Sequence, residues 1–253
     1  MSWLLLNSGL CPPAFNMALD EALLESASRL GKPVLRFYGW TEPAATFGYF
    51  QKYADVERAT PLQPLIRRPT GGGIVPHDAD WTYSLVFPPG HEWHSLKAEE
   101  SYRRVHEWIQ AAFARLKITT ELAPGCSSRR EEAPFSNAEC GVRNAESSQS
   151  LLTSSPTAQC FVEFVKSDVL WRGRKIAGAA QRRNKLGLLI QGSVQPPPFQ
   201  KSERAAWQNA ICAVGGGKFA IQWSDFEPDA ALRERAEQLA RQKYSQAAHN
   251  RKR

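Results

Sequence analysis

Residues 67 to 78 read Arg67-Arg68-Pro69-Thr70-Gly71-Gly72-Gly73-Ile74-Val75-Pro76-His77-Asp78, and the reading of the whole chain turns on them. Three consecutive glycines let the backbone adopt φ > 0 and approach a ligand closely. Successive N–H groups in such a turn form an anion-binding nest, and the two arginines before it add charge. The run Leu65-Ile66-Arg67-Arg68 just upstream has β character, so the loop leaves a strand. A flexible hairpin loop would account for the glycines alone. It does not account for an Arg-Arg pair on one side and a His-Asp pair on the other.

Working outward, Trp81–Phe87 alternates as a half-buried strand, with Trp81, Tyr83, Leu85 and Phe87 on one face. Upstream, Phe15, Leu19, Ala22, Leu23 and Leu30 fall near one face of a helix over 15–30, with Asn16 available as its cap. Val34–Tyr38 and Ala45–Gly48 read as strands. Downstream, Tyr102, Val105, Ile109, Ala112, Phe113 and Leu116 form the stripe of a second amphipathic helix. Phe161–Val165, Val169–Trp171, Lys175–Gln181 and Leu188–Ser193 read as further strands, with Arg172-Gly173 as a tight hairpin turn. Helical stretches over about 202–213 and 229–245 close the chain. Strands and helices mix without a strict βαβ rhythm, which predicts an α+β fold with a mixed, largely antiparallel sheet and flanking helices.

The chain has 253 residues, 42% of them hydrophobic and 23% charged, which is ordinary globular composition. It is expected to form a single domain over 1–253. Residues 123–157 are rich in Ser, Glu, Arg, Asn and Pro, and predict a polar loop insertion dispensable for folding. Met1–Cys11 has an apolar run of four residues and no basic leader, so a first strand is expected there rather than a signal peptide or membrane span. Five cysteines (Cys11, Cys126, Cys140, Cys160, Cys212) with no C-x-x-C pair exclude a zinc ribbon and point to a reducing cytoplasm. The formal charge is +7, part of it in a basic tail, Arg251-Lys252-Arg253. Without a zinc finger or an RNP motif, nucleic acid is not implied; an acidic protein partner or an anionic ligand remains open. His91-Glu-Trp-His94 lacks a third ligand and sits in a loop, so no metal is expected. Gly215-Gly-Gly-Lys218 has Cys212 and Phe219 at positions where a phosphate-binding loop needs Gly and Ser/Thr, and is rejected as one.

The stretch 67–78 resembles the signature loop of lipoate–protein ligases and related octanoyltransferases. Other parts match that family in order: Asn16-Met-Ala-Leu-Asp-Glu21, Leu35-Arg-Phe-Tyr-Gly-Trp40, Gly48-Tyr-Phe-Gln51, Gly173-Arg-Lys-Ile-Ala-Gly178 with Gln181, and Gln191-Gly-Ser193. The resemblance implies the biotin/lipoate-ligase catalytic fold, in which a mixed sheet with helices holds an acyl group in an apolar tunnel. It implies acyl or ligand binding by Arg67, Arg68, Thr70, Gly71, Gly72, Gly73, His77, Asp78, Gly178 and Gln181. It also implies that Lys175 points at the acyl carbonyl or an acyl-adenylate phosphate, where a fixed ammonium stabilises developing negative charge.

Cys160 lies fifteen residues before Lys175, which matches the spacing of the nucleophilic cysteine and motif lysine in one octanoyltransferase subfamily. A thiolate can hold an acyl group as a thioester and release it to an amine, and a neighbouring cation such as Lys175 would lower its pKa. Two reactions share the implied scaffold. A transferase would move octanoyl from acyl carrier protein through Cys160 to a lysine of a lipoyl domain of a 2-oxoacid dehydrogenase, or of glycine-cleavage H protein, with no cofactor. A ligase would activate lipoate with ATP and Mg²⁺. The Cys160 spacing favours the transferase; Gly73, as in typical ligases, favours the other. Gln191-Gly-Ser193 departs from the family's usual His-Gly, and Pro76 interrupts the loop motif. A binding paralogue that holds a lipoyl domain without acylating it is the third reading.

Overall fold

The computed structural model describes residues 1–124, 165–195 and 203–253. The insertion beyond Pro124, with Cys126 and Cys140, and Cys160 and most of the Phe161–Val165 run therefore lie outside the described residues. In chain order the elements are β1 (Ser2–Cys11), α1 (Pro13–Glu25), α2 (Ala27–Leu30), β2 (Val34–Trp40), β3 (Ala44–Phe47), α3 (Tyr53–Ala59), β4 (Leu65–Arg67), β5 (Val75–His77) and β6 (Trp81–Phe87). They continue with α4 (Glu92–Ser95), α5 (Ala98–Arg115), β7 (Glu121–Leu122), β8 (Val169–Trp171), β9 (Arg174–Asn184) and β10 (Gly187–Val194). α6 (Glu203–Phe219), β11 (Gln222–Asp225), α7 (Ala230–Leu239), a π-helical turn over Ala240–Tyr244 and α8 (Ala247–Asn250) follow. None of these helices is long and apolar enough to cross a membrane.

An eight-stranded sheet runs β11-β1-β2-β6-β10-β9-β8-β7, and a small sheet runs β4-β3-β5. In the large sheet β1 pairs parallel with β2 and β11, and the other neighbours are antiparallel. β1 and β2 are parallel because α1 and α2 carry the chain back between them, the one βαβ passage near the start. Arg172 (φ 50) and Gly173 (φ 74) both adopt positive φ, the geometry of the primed turns that match strand twist. The expected hairpin is there.

β6 is not half-buried: all seven of its residues are buried. Trp81, Tyr83, Leu85 and Phe87 pack with Val105, Trp108 and Phe113 of α5 and with Trp207 and Ile211 of α6. The opposite face meets α1 and α7 through Val34, Tyr38, Val86 and Leu189. Its polar residues are satisfied there, since Ser84 Oγ donates to Asp20 at 2.7 Å. Alternation of polarity thus marked a face covered by a helix that carries its own carboxylate.

Three local expectations change. α1 starts at Pro13, with no side-chain cap; proline suits this position because its missing N–H would be unsatisfied anyway. Asn16, expected as the cap, is inside the helix and fully buried, where it donates to Gly39 O at 2.8 Å and accepts from Arg36 at 2.7 Å. α6 runs on through Gly215–Gly217 to Phe219, so the glycine run is helix and not loop. His91–His94 spans a short helix, α4, where His91 caps Trp93 N–H and His94 meets Asn184 O; the two rings have separate partners.

Candidate active site

The glycine stretch begins where β4 ends and finishes at β5, so its ends are pinned by the small sheet. Arg68 gathers it from inside: Nη2 donates to Gly71 O at 2.6 Å and to Gly73 O at 2.8 Å. Gly72 has φ +89, and a Cβ there would meet Arg68 Nη2 at 2.7 Å. Gly48, at the end of β3, lies so close that a Cβ on it would be 2.0 Å from Gly72 O. Thr70 ties the loop to the large sheet by donating to Gln191 Oε1 at 2.8 Å.

Between the two sheets lies a narrow cleft lined by Met17, Tyr38, Thr46, Arg68, Val75, His77, Thr82, Gly178, Ala179, Ala180, Gln191, Gly192 and Ser193. The polar side chains of this wall are held from behind. Asp20 of α1 accepts from Arg36 (2.7 Å), Tyr38 OH (3.1 Å), Ser84 (2.7 Å) and Gln191 Nε2 (2.8 Å). Burial, with the Asp20 charge beside it, pushes the Tyr38 phenol well above its ordinary pKa, so Tyr38 is a fixed neutral donor. On the small-sheet side His77 Nε2 meets Thr46 Oγ1 at 2.8 Å and its Nδ1 meets Asp80 Oδ2 at 2.9 Å. Trp40 stacks on the His77 ring at 3.8 Å.

Lys175 stands at the β9 edge of this cleft. Its ammonium is 2.7 Å from Asp168 Oδ2, with the two side chains 5% and 2% exposed. Gly178, which lines the cleft, leaves room for that side chain; a Cβ would be 2.7 Å from Lys175 Cε. His106 is buried beside the pair, and burial pushes its pKa down to about 4. It is neutral at pH 7 and adds no second cation.

Of the residues expected at a ligand, Arg68, His77 and Gly178 line the cleft, Thr70 and the glycines form or brace its loop, and Lys175 flanks Gly178. Three go elsewhere. Arg67 is fully buried and its guanidinium donates to the carbonyls of Tyr49, Gln51 and Asn250, because successive residues of β4 point to opposite faces. Asp78 is exposed; the buried acid is Asp80, two residues on. Gln181 turns away to Ala98 O and Ser101 of α5, again by strand alternation. Cys160 lies outside the described residues. The sequence reading missed Asp20, Tyr38, Thr46, Asp80, Thr82 and Asp168. Asp20 was within reach, as an acid on the apolar face of a predicted helix.

The fold is shared with a lipoate–protein ligase: the chain superposes on lipoate-protein ligase A bound with ATP with a TM-score of 0.72, at 20% identity, over 99% of each chain. Residues 12–195 match the Lipoyl protein ligase A/B catalytic domain, and the chain belongs to that family. It is 37% identical over 201 residues to Octanoyltransferase LipM of Geobacillus kaustophilus, covering 76% of this chain and 64% of that protein. With the Octanoyltransferase LipM of Bacillus subtilis it shares 34% over 199 residues, 76% of this chain and 65% of that one. The chain thus spans a little under two thirds of the length of these relatives.

Proposed function

We propose that this chain is an octanoyltransferase of protein lipoylation, moving an octanoyl group from acyl carrier protein to a lysine of a lipoyl domain or of glycine-cleavage H protein. The observation that carries the reading is the buried Lys175–Asp168 pair beside Gly178 at the cleft, in a chain 76% of which is similar to octanoyltransferases. Transfer would run in two steps. The Cys160 thiolate attacks the carbonyl of the donor thioester, and the carrier thiolate leaves and takes up a proton. The neutral amine of the acceptor lysine then attacks the new thioester, an amide forms, the amine loses a proton and the Cys160 thiolate is released. In both steps the Lys175 ammonium would stabilise the oxyanion, and a lysine fixed by Asp168 needs no reorganisation to do so. Arg68 and its loop would position the carbonyl end, and Met17, Val75 and Ala180 would face the chain. No cofactor is needed, and a reducing cytoplasm suits a thiolate nucleophile.

The test withholds the acceptor. Enzyme mixed with octanoyl-carrier protein should accumulate a hydroxylamine-labile octanoyl adduct on Cys160, read by intact mass and peptide mapping, and Cys160→Ser should abolish turnover. Full activity of Cys160→Ala that depends on lipoate, ATP and Mg²⁺ would establish the ligase instead, a reading favoured by the fold shared with an ATP-bound ligase and by Gly73. Binding of a lipoyl domain with no acylation in either assay would leave a non-catalytic paralogue.

A further inference from the structure

A group of basic side chains lies beside the glycine loop. The segment after α8 folds back over the turn that follows β3. Tyr53 N–H donates to Arg253 O at 2.8 Å. Arg251 lies 4.9 Å from the Tyr53 ring, Lys252 3.8 Å from the Tyr49 ring, and Arg253 5.5 and 5.4 Å from the rings of Tyr49 and Phe50. These are cation–π distances. The Lys252 ammonium pulls the Tyr49 phenol below its ordinary pKa, helped by Arg253 and Arg182, so Arg182 of β9 belongs to the same surface. Arg182 and Lys243 share one acid, Glu21. Among the described residues no Asp or Glu side chain lies within ion-pair distance of Arg251, Lys252 or Arg253. Phe50, 72% exposed, stands among these cations as a large apolar side chain facing water.

This surface adjoins the cleft's own wall. Tyr49 N–H donates to Thr70 O at 2.9 Å, Gly48 lies against Gly72, and Arg182 is two residues along β9 from Ala180, which lines the cleft. Anything docked here sits against the loop that braces the cleft. The chemistry of the surface selects among occupants. A cationic rim around one exposed aromatic anchor fits an acidic protein face with an apolar recess. Single-stranded nucleic acid would stack its bases on exposed rings, whereas here Tyr49 and Tyr53 are half-buried beneath Lys252 and Arg251 and only Phe50 of the three stands open. The acyl acceptor presents a lysine ammonium, which this rim repels. The acyl donor presents an uncharged thioester.

We propose that Arg251, Lys252 and Arg253, laid over Tyr49 and around Phe50, form the docking surface for an acidic carrier protein that delivers the acyl thioester. The inference rests on the transferase reading above and names the surface that serves it. Two variants of the full chain test it, Arg251→Gln/Lys252→Gln/Arg253→Gln and Phe50→Ser, each with two donors: octanoyl-carrier protein and the small uncharged thioester octanoyl-N-acetylcysteamine. The triple variant should raise KM for the carrier-bound donor about tenfold or more, keep kcat within about twofold, and flatten the salt dependence of carrier binding. Phe50→Ser should raise the same KM while keeping the salt slope. The small donor should react equally with all three proteins. Equal losses with both donors would place the effect in the cleft and overturn the proposal. So would an unchanged KM for the carrier, weakened binding of the lipoyl domain alone, or loss of affinity only for RNA or anionic vesicles. Carrier affinity is also measured without turnover, by anisotropy of a labelled carrier. Binding through this surface with no acylation would refute the transferase reading and leave the surface; transfer whose carrier affinity ignores both variants would do the reverse.

Discussion

Lys175 and Asp168 stabilise each other out of water, so each is a hazard to the fold when the other is missing. Breaking a buried pair from one side leaves an uncompensated charge, typically at a cost of about 3–5 kcal/mol. Lys175→Ala alone is therefore expected to lower both stability and transfer, and its activity loss cannot be assigned to chemistry. The double variant Lys175→Met/Asp168→Asn removes the charge problem. It should recover most of the lost stability in urea denaturation while octanoyl transfer stays depressed by about tenfold to a thousandfold, the scale for losing one preorganised electrostatic partner. Recovery of activity along with stability would make the pair structural. Lys175 was legible because its glycine-flanked motif is local. Asp168 was not: it reaches Lys175 across the β8–β9 turn, where β8 and β9 shift register between Val169 and Leu170, and no spacing rule predicts the pairing. His77 is the same case in miniature, since the motif names Asp78 and the fold uses Asp80.

At the scale of the element, the glycine loop is shaped by a neighbour distant in sequence. A Cβ on Gly48 would sit 2.0 Å from Gly72 O, whereas one on Gly71 meets nothing within 4 Å. β3 cannot retreat, because it is paired with β4 on one side and β5 on the other. Gly48→Ala should therefore displace the loop and weaken donor binding by about tenfold or more, the scale of an overpacking cost of 1–3 kcal/mol. Gly71→Ala should bind donor nearly as the parent does. Equal donor KM values for the two variants would remove the close approach from the site. Three glycines in a row announce a loop in any sequence. Which single glycine elsewhere the loop leans on is a tertiary fact, and only the resemblance had singled out Gly48-Tyr-Phe-Gln51.

Across the whole molecule, β6 and β10 are covered on both faces, so the two helical layers share one sheet. Trp3, Trp81, Trp93, Trp108 and Trp207 belong to the α5–α6 side, and tryptophan emission reports mainly on that layer. Far-UV circular dichroism also sees α1 and α7. Chains above about 150 residues often unfold through intermediates, yet a shared central sheet predicts coincident guanidinium midpoints by the two probes. Separated midpoints would mean that the layers melt independently. The α+β class and the mixed sheet were readable because β2, β6, β9, β10, α1 and α5 are long enough to show their periods. β5, β7 and β11 were not: two to four residues, partly exposed, carry no alternation to detect. The parallel pairing of β1 with β2 was hidden for another reason, since a single βαβ passage does not make a rhythm.

The stacked rings of His77 and Trp40 have one more consequence. His77 lines the cleft on one side and, with Trp40, Asp80 and Arg204, a second recess on the other. The wall that separates the two recesses is thus made in part of side chains. Exchanging the His77 or Trp40 ring for a smaller side chain is expected to join the two recesses, while both sheets and the loop stay where they are.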